Sequence, residues 1–455
     1  MIEQYQEKLN QAVDYAEREA LKLGLDGIRV SGGVNRILST RFANSEILQN
    51  FVDFEIRLNL TTYLGKKQVT LYNNDLSESH IGASLGQALK LLRVIPEDPN
   101  APGLGSESER YPSLKLNDPQ VRNITPSEIA DLIVGGINIS HEHSPKVTSV
   151  SGNVNFCDGF TFFRSSEGSE NITPETKITS TVNVKSEESG EESRSNSNFG
   201  SRVLAQLPFD AESSSVAERS VMGLNPQKIE PNKYNVILDN QAMSQMMFLL
   251  GNAASGRQVA IQQSFLAGKQ GEQMFDPPIT VLHDPHDPVL VSSRPLDAEG
   301  VASRKYSLVE DGFFKSYALD RVSAGRLNQT SNGSSFSLFN TYTMPFPYAT
   351  KMSPGKTNRE DLLSEVSSGL VVTNWHYTNF IDYNRGTITG MTKDGLFIVE
   401  NGEIVGSARN LRFTESIPNL LSSIQLSQER VQVVSPYGIT FLVPSAKIPS
   451  FNLIS

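Results

Sequence analysis

The chain has 455 residues, 38% of them hydrophobic and 20% charged, a globular balance too long for one ordinary core, so two to three domains are expected. A formal charge of −10 gives a field that repels phosphate backbones and anionic membrane surfaces, which argues against nucleic acid and membrane as partners. One cysteine, Cys157, excludes an internal disulfide and suits a reducing cytosol. Standing alone, it is expected to be a packed or inert thiol. The opening residues carry no apolar h-region and no apolar run approaches the length of a membrane span, so a cytoplasmic location is expected.

In chain order, Ile2, Tyr5, Leu9, Ala12, Val13, Ala16, Ala20 and Leu21 recur at helical spacing and predict an amphipathic helix ending near Gly24. Residues 28–42, 55–64 and 68–72 alternate apolar and β-branched positions around Gly32-Gly33 and Gly65-Lys66-Lys67, and are expected to form strands and hairpins. A helix over 78–94 ends before Pro96, a loop spans 97–118, and a helix over 129–139 follows Thr125-Pro126. Residues 147–184 alternate again, as an antiparallel sheet would. The polar, Ser-rich stretch 185–201, KSEESGEESRSNSNFGS, is expected to be a solvated, mobile hairpin tip or lid without core contacts.

A polar junction at 223–232 precedes a buried strand over 234–238, and the second half is β-rich, with helices at 240–254 and 359–368. Hairpins dominate and no βαβ period or repeat is present, so the fold class is α+β, in two domains, 1–225 and 226–455.

Local chemistry is sparse. The histidine clusters His141-Glu142-His143 and His283 to Pro288, with His286, sit beside prolines and charges and are expected to be solvated turns rather than metal sites. Asp297 and Glu299 precede Gly300 and suit a structural turn better than an acid/base pair. Ser323 and Ser435 lie in no recognisable nucleophile elbow. In WHYTNFIDYN, Trp375, His376, Tyr377 and Phe380 read as a half-buried strand, with a peptide groove as the functional alternative.

Several ordered segments resemble the TldD/PmbA family, also called modulators of DNA gyrase. They are SFLAGKQGE (264–272), LDAEGVASRKYSLVEDGFFKSYALDRVSAGRLN (296–328) and NRGTITGMTKDGLFIVENGEIVG (384–406), with EDPNAPGLG in the first half. The resemblance implies a zinc metallopeptidase fold whose active members hold the metal with His-Glu-x-x-x-His on the helix before SFLAGK and a cysteine near the C-terminus. Two imidazoles and a thiolate would leave one coordination position for an activated water, with Glu as base. Here those positions fall at Met247, Phe248 and Asn252, within helix 240–255, and at Ser435, and no histidine lies between His143 and His283.

The resemblance therefore implies a TldE/PmbA-type subunit with no catalytic residues and no cofactor of its own, zinc being expected only in a partner. It would pair with a TldD-like zinc-bearing homologue, or with itself as a homodimer. Between them the subunits would position a peptide or unfolded segment, and the family places the aromatic segment near the central cavity. The alternative is a homodimeric peptide-binding or scaffold protein without a protease partner. A metalloprotease using His141, His143 or His376 is the remaining reading.

Overall fold

The computed structural model describes residues 2–104, 110–338 and 342–454. Part of the loop expected over 97–118, residues 105–109, lies outside the described residues. The α+β expectation holds: most pairings in the main sheet are antiparallel, and parallel pairing joins Ala349–Met352 to Thr440–Ile454 and Asn232–Leu238 to Ser368–Asp382.

Alternation of apolar and polar side chains gives the first half long, two-faced strands. Strand Gly27–Ala43 pairs along its length with Glu46–Leu64 through a turn at Asn44 and Ser45, both at positive φ (52° and 63°). A two-residue hairpin of this type needs that geometry to match the strand twist. On its other edge Gly27–Ala43 pairs with Val147–Ser165, which continues into Glu170–Glu188 and Glu191–Ser201. Helices Ile2–Lys22 and Glu78–Val94 bury Leu9, Val13, Ile81 and Leu85 against Val30 and Leu58. Helices Pro126–His143 and Phe209–Met222 cover a second cluster around Phe156 and Val182. Gly136 lets these two helices meet, because a Cβ there would lie 2.5 Å from the Phe209 ring.

Two expectations need correction. Residues 185–201 are no solvated lid: they complete the strands Glu170–Glu188 and Glu191–Ser201, which turn only at Ser189-Gly190. Ser186, Ser195 and Ser197 are buried, and the Ser186 and Ser220 hydroxyls are 2.7 Å apart. Small hydroxyl side chains let the helix Phe209–Met222 approach the sheet while their polar atoms find partners, so a polar sequence forms a packed face. Likewise His141 and His143 belong to the last turn of helix Pro126–His143, not to a loop. Thr125 caps the start with Glu128 in a reciprocal capping box, and the apolar row Ile129, Ile133, Ile137 carries the helix past the residues read as its end.

In the second half, helix Asn240–Ala253 lies on the sheet formed by Asn232–Leu238, Ser368–Asp382 and Thr440–Ile454. Met243, Met246, Met247 and Leu250 join Val236, Phe441 and Phe451 in the largest buried cluster. The helix expected over 359–368 stops at Ser364, since Ser368 already begins a strand. No helix among the described residues is long and apolar enough to cross a membrane.

The two halves are tied by Arg202, only 2% exposed. Its guanidinium donates to the carbonyls of Thr176 (2.9 Å), Leu290 (2.8 Å), Val291 (2.7 Å) and Ser293 (2.7 Å), with Leu116 at 3.4 Å. Arg202→Met would strand these acceptors and the nearby Glu175 carboxylate, so it should lower the unfolding free energy by about 3 kcal/mol or more. Urea unfolding should show this as a lower midpoint with an unchanged slope.

Candidate functional site

A cavity of about 460 Å³ opens where the polar strand faces of the first half meet residues 291–299 and the turn 436–438. Strand alternation builds its floor: Arg57, Asn59, Thr61 and Tyr63 line the cavity, while Leu58 and Leu60 between them face the buried cluster behind. In a chain of net charge −10 the lining is rich in cations, with Arg29, Arg57, Lys177, Arg202 and Arg294 against Glu175, Asp297 and Glu299. Phe162, Phe163, Phe336 and Tyr437 supply apolar wall.

The acids in this wall serve the structure. Burial opposes ionisation of Glu175, but Lys177 (3.2 Å) and Arg202 (3.6 Å) beside it hold its carboxyl down at about 2. Asp297 accepts the backbone N–H groups of Glu299, Val301 and Ser335 at 2.9–3.0 Å, and Glu299 accepts that of Arg321 at 2.9 Å. Burial pushes both carboxyls up, Asp297 against three donors that favour its charged form, and Asp320 raises Glu299 further. With Gly300 at φ +79° behind them, these residues make the structural turn expected from sequence.

Of the four implied metal positions, three lie on helix Asn240–Ala253 and the fourth, Ser435, just after strand Gln425–Val434. Met247 is 1% exposed and points into the core. Phe248, half-buried, packs against Phe346 (5.1 Å between centroids) and stacks on Tyr437 (5.9 Å), which lines the cavity. Asn252 is half-buried one turn further on. Ser435 closes its own turn, its hydroxyl accepting the Ile439 N–H at 3.2 Å. Phe248 thus brings the helix against Tyr437 of the cavity lining, and the four implied positions carry a thioether, an aromatic ring, an amide and an engaged hydroxyl. That set does not fit zinc, which takes imidazole, thiolate and carboxylate. Among the described residues, no group of three or more His, Cys, Asp or Glu is arranged to hold a metal ion. Cys157 is half-buried on the strand Val147–Ser165, and burial pushes its thiol up, away from a reactive thiolate.

The aromatic segment divides. Trp375 is no groove residue: it is 3% exposed, its Nε1 donates to the Ala242 carbonyl (3.2 Å), and it packs on Phe413 (4.4 Å) and Phe451 (5.5 Å). Its indole is the link between the strand and helix Asn240–Ala253, which is why the only tryptophan lies inside. His376 and Phe380 are half-buried, and Tyr377 is 79% exposed at a bulge in the strand pairing. None of the four lines the cavity. Of the residues that do, Arg29, Arg57 and Lys177 were invisible to sequence because they alternate along strands as a solvated face would, and Arg294 because it lies in an irregular segment.

The second histidine cluster also departs from expectation. His283 ends the strand Val281–His283, is fully buried, and packs against Tyr306 (4.9 Å) and Tyr348 (4.6 Å). Its Nδ1 accepts from the Ala349 N–H at 3.4 Å, and its Nε2 has no partner among the described residues. β-Pairing with Tyr306 and Thr350 draws it inside despite the prolines that follow. His286 is half-buried against Ser303.

Comparison with known proteins now bears on this geometry. Residues 231–455 match the PmbA/TldA metallopeptidase C-terminal domain. Metalloprotease PmbA of Escherichia coli O157:H7 is 25% identical over 383 residues, covering 83% of this chain and 81% of its own. The PmbA homologue of Haemophilus influenzae is 23% identical, covering 93% and 92%. The crystal structure of TldE from Thermococcus kodakarensis superposes with a TM-score of 0.87 at 19% identity, over 98% of this chain and 100% of that one. The chain belongs to the TldD/PmbA family of metalloprotease homologues.

Burial, with Arg294 and His286 nearby, pushes His283 down to about 3. The unfolded chain takes up this proton near pH 6.5 and the folded chain only near 3. The resulting stability is therefore present above about pH 6.5 and lost as pH falls, amounting to about 2 kcal/mol at pH 5. Denaturant titrations of wild type and His283→Leu at pH 7 and pH 5 should show the variant losing less by about that amount.

Proposed function

We propose that this chain is the non-metal member of a family peptidase: it holds an extended peptide or unfolded segment in the cleft and leaves hydrolysis to a zinc-bearing homologue. The observation that carries this reading is the replacement of the whole donor set at once. Met247 is core, Phe248 stacks behind Tyr437 of the cleft, and Ser435 is engaged in its turn. A damaged enzyme would retain some ligands in place, whereas here the helix has been repacked around apolar side chains that lower its energy by burial. In this reading residues 1–225 supply the strand floor of the cleft and residues 226–455 its rim. The polar, cation-rich lining suits a polypeptide backbone, whose carbonyls need donors when they leave water. The chain is then cytoplasmic, as its charge and single cysteine suggest.

The purified chain alone should show no turnover of an unstructured casein fragment, and addition of a homologue carrying His-Glu-x-x-x-His should raise hydrolysis above that of the homologue by itself. Affinity capture from the native cell should recover such a homologue. Recovery of only further copies of this chain, with no gain in hydrolysis, would instead favour a homodimeric peptide-binding protein.

A further inference from the structure

The arginines of the cleft are not equivalent. Arg202 directs its donors at five backbone carbonyls. Arg29 is engaged with the Glu167 carboxylate (2.7 Å) and the carbonyls of Leu104 and Glu299. Arg294 differs: only its Nε is used, donating to the Ser292 carbonyl at 3.2 Å. The guanidinium carbon lies over the rings of Tyr348 (4.6 Å) and Phe336 (5.2 Å), and the two terminal nitrogens have no partner among the described residues, although the side chain is half-buried in the cavity wall.

An arginine kept only for packing would direct its fork at the carbonyls around it, as Arg202 does with those of Leu290, Val291 and Ser293. Instead two aromatic faces hold the guanidinium plane, and Tyr348 is itself braced edge-on by the neutral, buried His283. The result is a pre-oriented, unanswered pair of donors facing the cavity. A planar fork of this kind matches a carboxylate with two parallel hydrogen bonds. The surroundings favour an anion, because the cations Arg29, Arg57, Lys177, Arg202 and Arg294 outnumber the acids Glu175, Asp297 and Glu299 in the same lining.

We propose that Arg294 is a carboxylate anchor in the cleft, which selects peptides presenting a free carboxylate, either a C-terminus or an acidic side chain, and fixes their direction. This rests on the cleft being the place where peptide lies. Arg294 is a binding and orienting residue and takes no part in bond cleavage.

Isothermal titration of the full chain with N-acetyl-pentaalanine and with the same peptide as its C-terminal amide tests this directly. The acid should bind about tenfold or more tightly than the amide. Arg294→Gln should remove the difference and Arg294→Lys should keep part of it, with thermal melts confirming that both variants fold. An amidated peptide with a central glutamate should recover the affinity if the side-chain carboxylate is the natural ligand, and should behave as the plain amide if the C-terminus is. Equal binding of acid and amide by the unaltered chain would overturn the anchor while leaving the cleft as a peptide site. Failure of all three peptides to bind would overturn both.

Discussion

A side chain that completes a hydrophobic core cannot also be a metal ligand, and this constraint governs helix Asn240–Ala253. Met243, Met246, Met247 and Leu250 are each almost fully buried in one cluster with strands from the end of the chain. The register that buries them places Met247 inside and turns Phe248 toward Phe346 and Tyr437. Interiors are close-packed, so imidazoles could enter these positions only by displacing ring and thioether contacts around them. What this helix contributes is packing.

The cleft beside it follows from the long strands. Their length lets one face carry a core and the other carry Arg57, Asn59, Thr61 and Tyr63 into a cavity closed by residues 291–299 and 436–438 of the second half. Arg202 fixes that closure by bonding carbonyls from both halves, so a cationic lining persists within an acidic molecule. Cleft charge and overall charge therefore have opposite signs, a pattern that repels polyanions at long range while favouring a short anionic group inside.

Much of this was legible from local pattern. The helix over 78–94 and the strand before 240 stand where periodicity places them. Failures arose where tertiary contacts reverse a residue's usual preference. Serines in 185–201 pack because a helix covers them, His283 is buried by strand pairing, and Trp375 is internal because Ala242 offers its carbonyl. The candidate site divided the same way. Counting back from SFLAGK gives Met247, Phe248 and Asn252 as the implied positions, whereas the cleft lining and Arg294 depend on which segments face one another, and no local window holds that information.

On the proposed reading, Met247, Phe248, Asn252 and Ser435 do not hold zinc. Equilibrium dialysis of the purified chain against micromolar zinc, followed by elemental analysis, tests it most directly. The account predicts bound zinc far below one ion per chain. A stoichiometric ion, lost on replacing Asn252 or Ser435 with alanine, would contradict it.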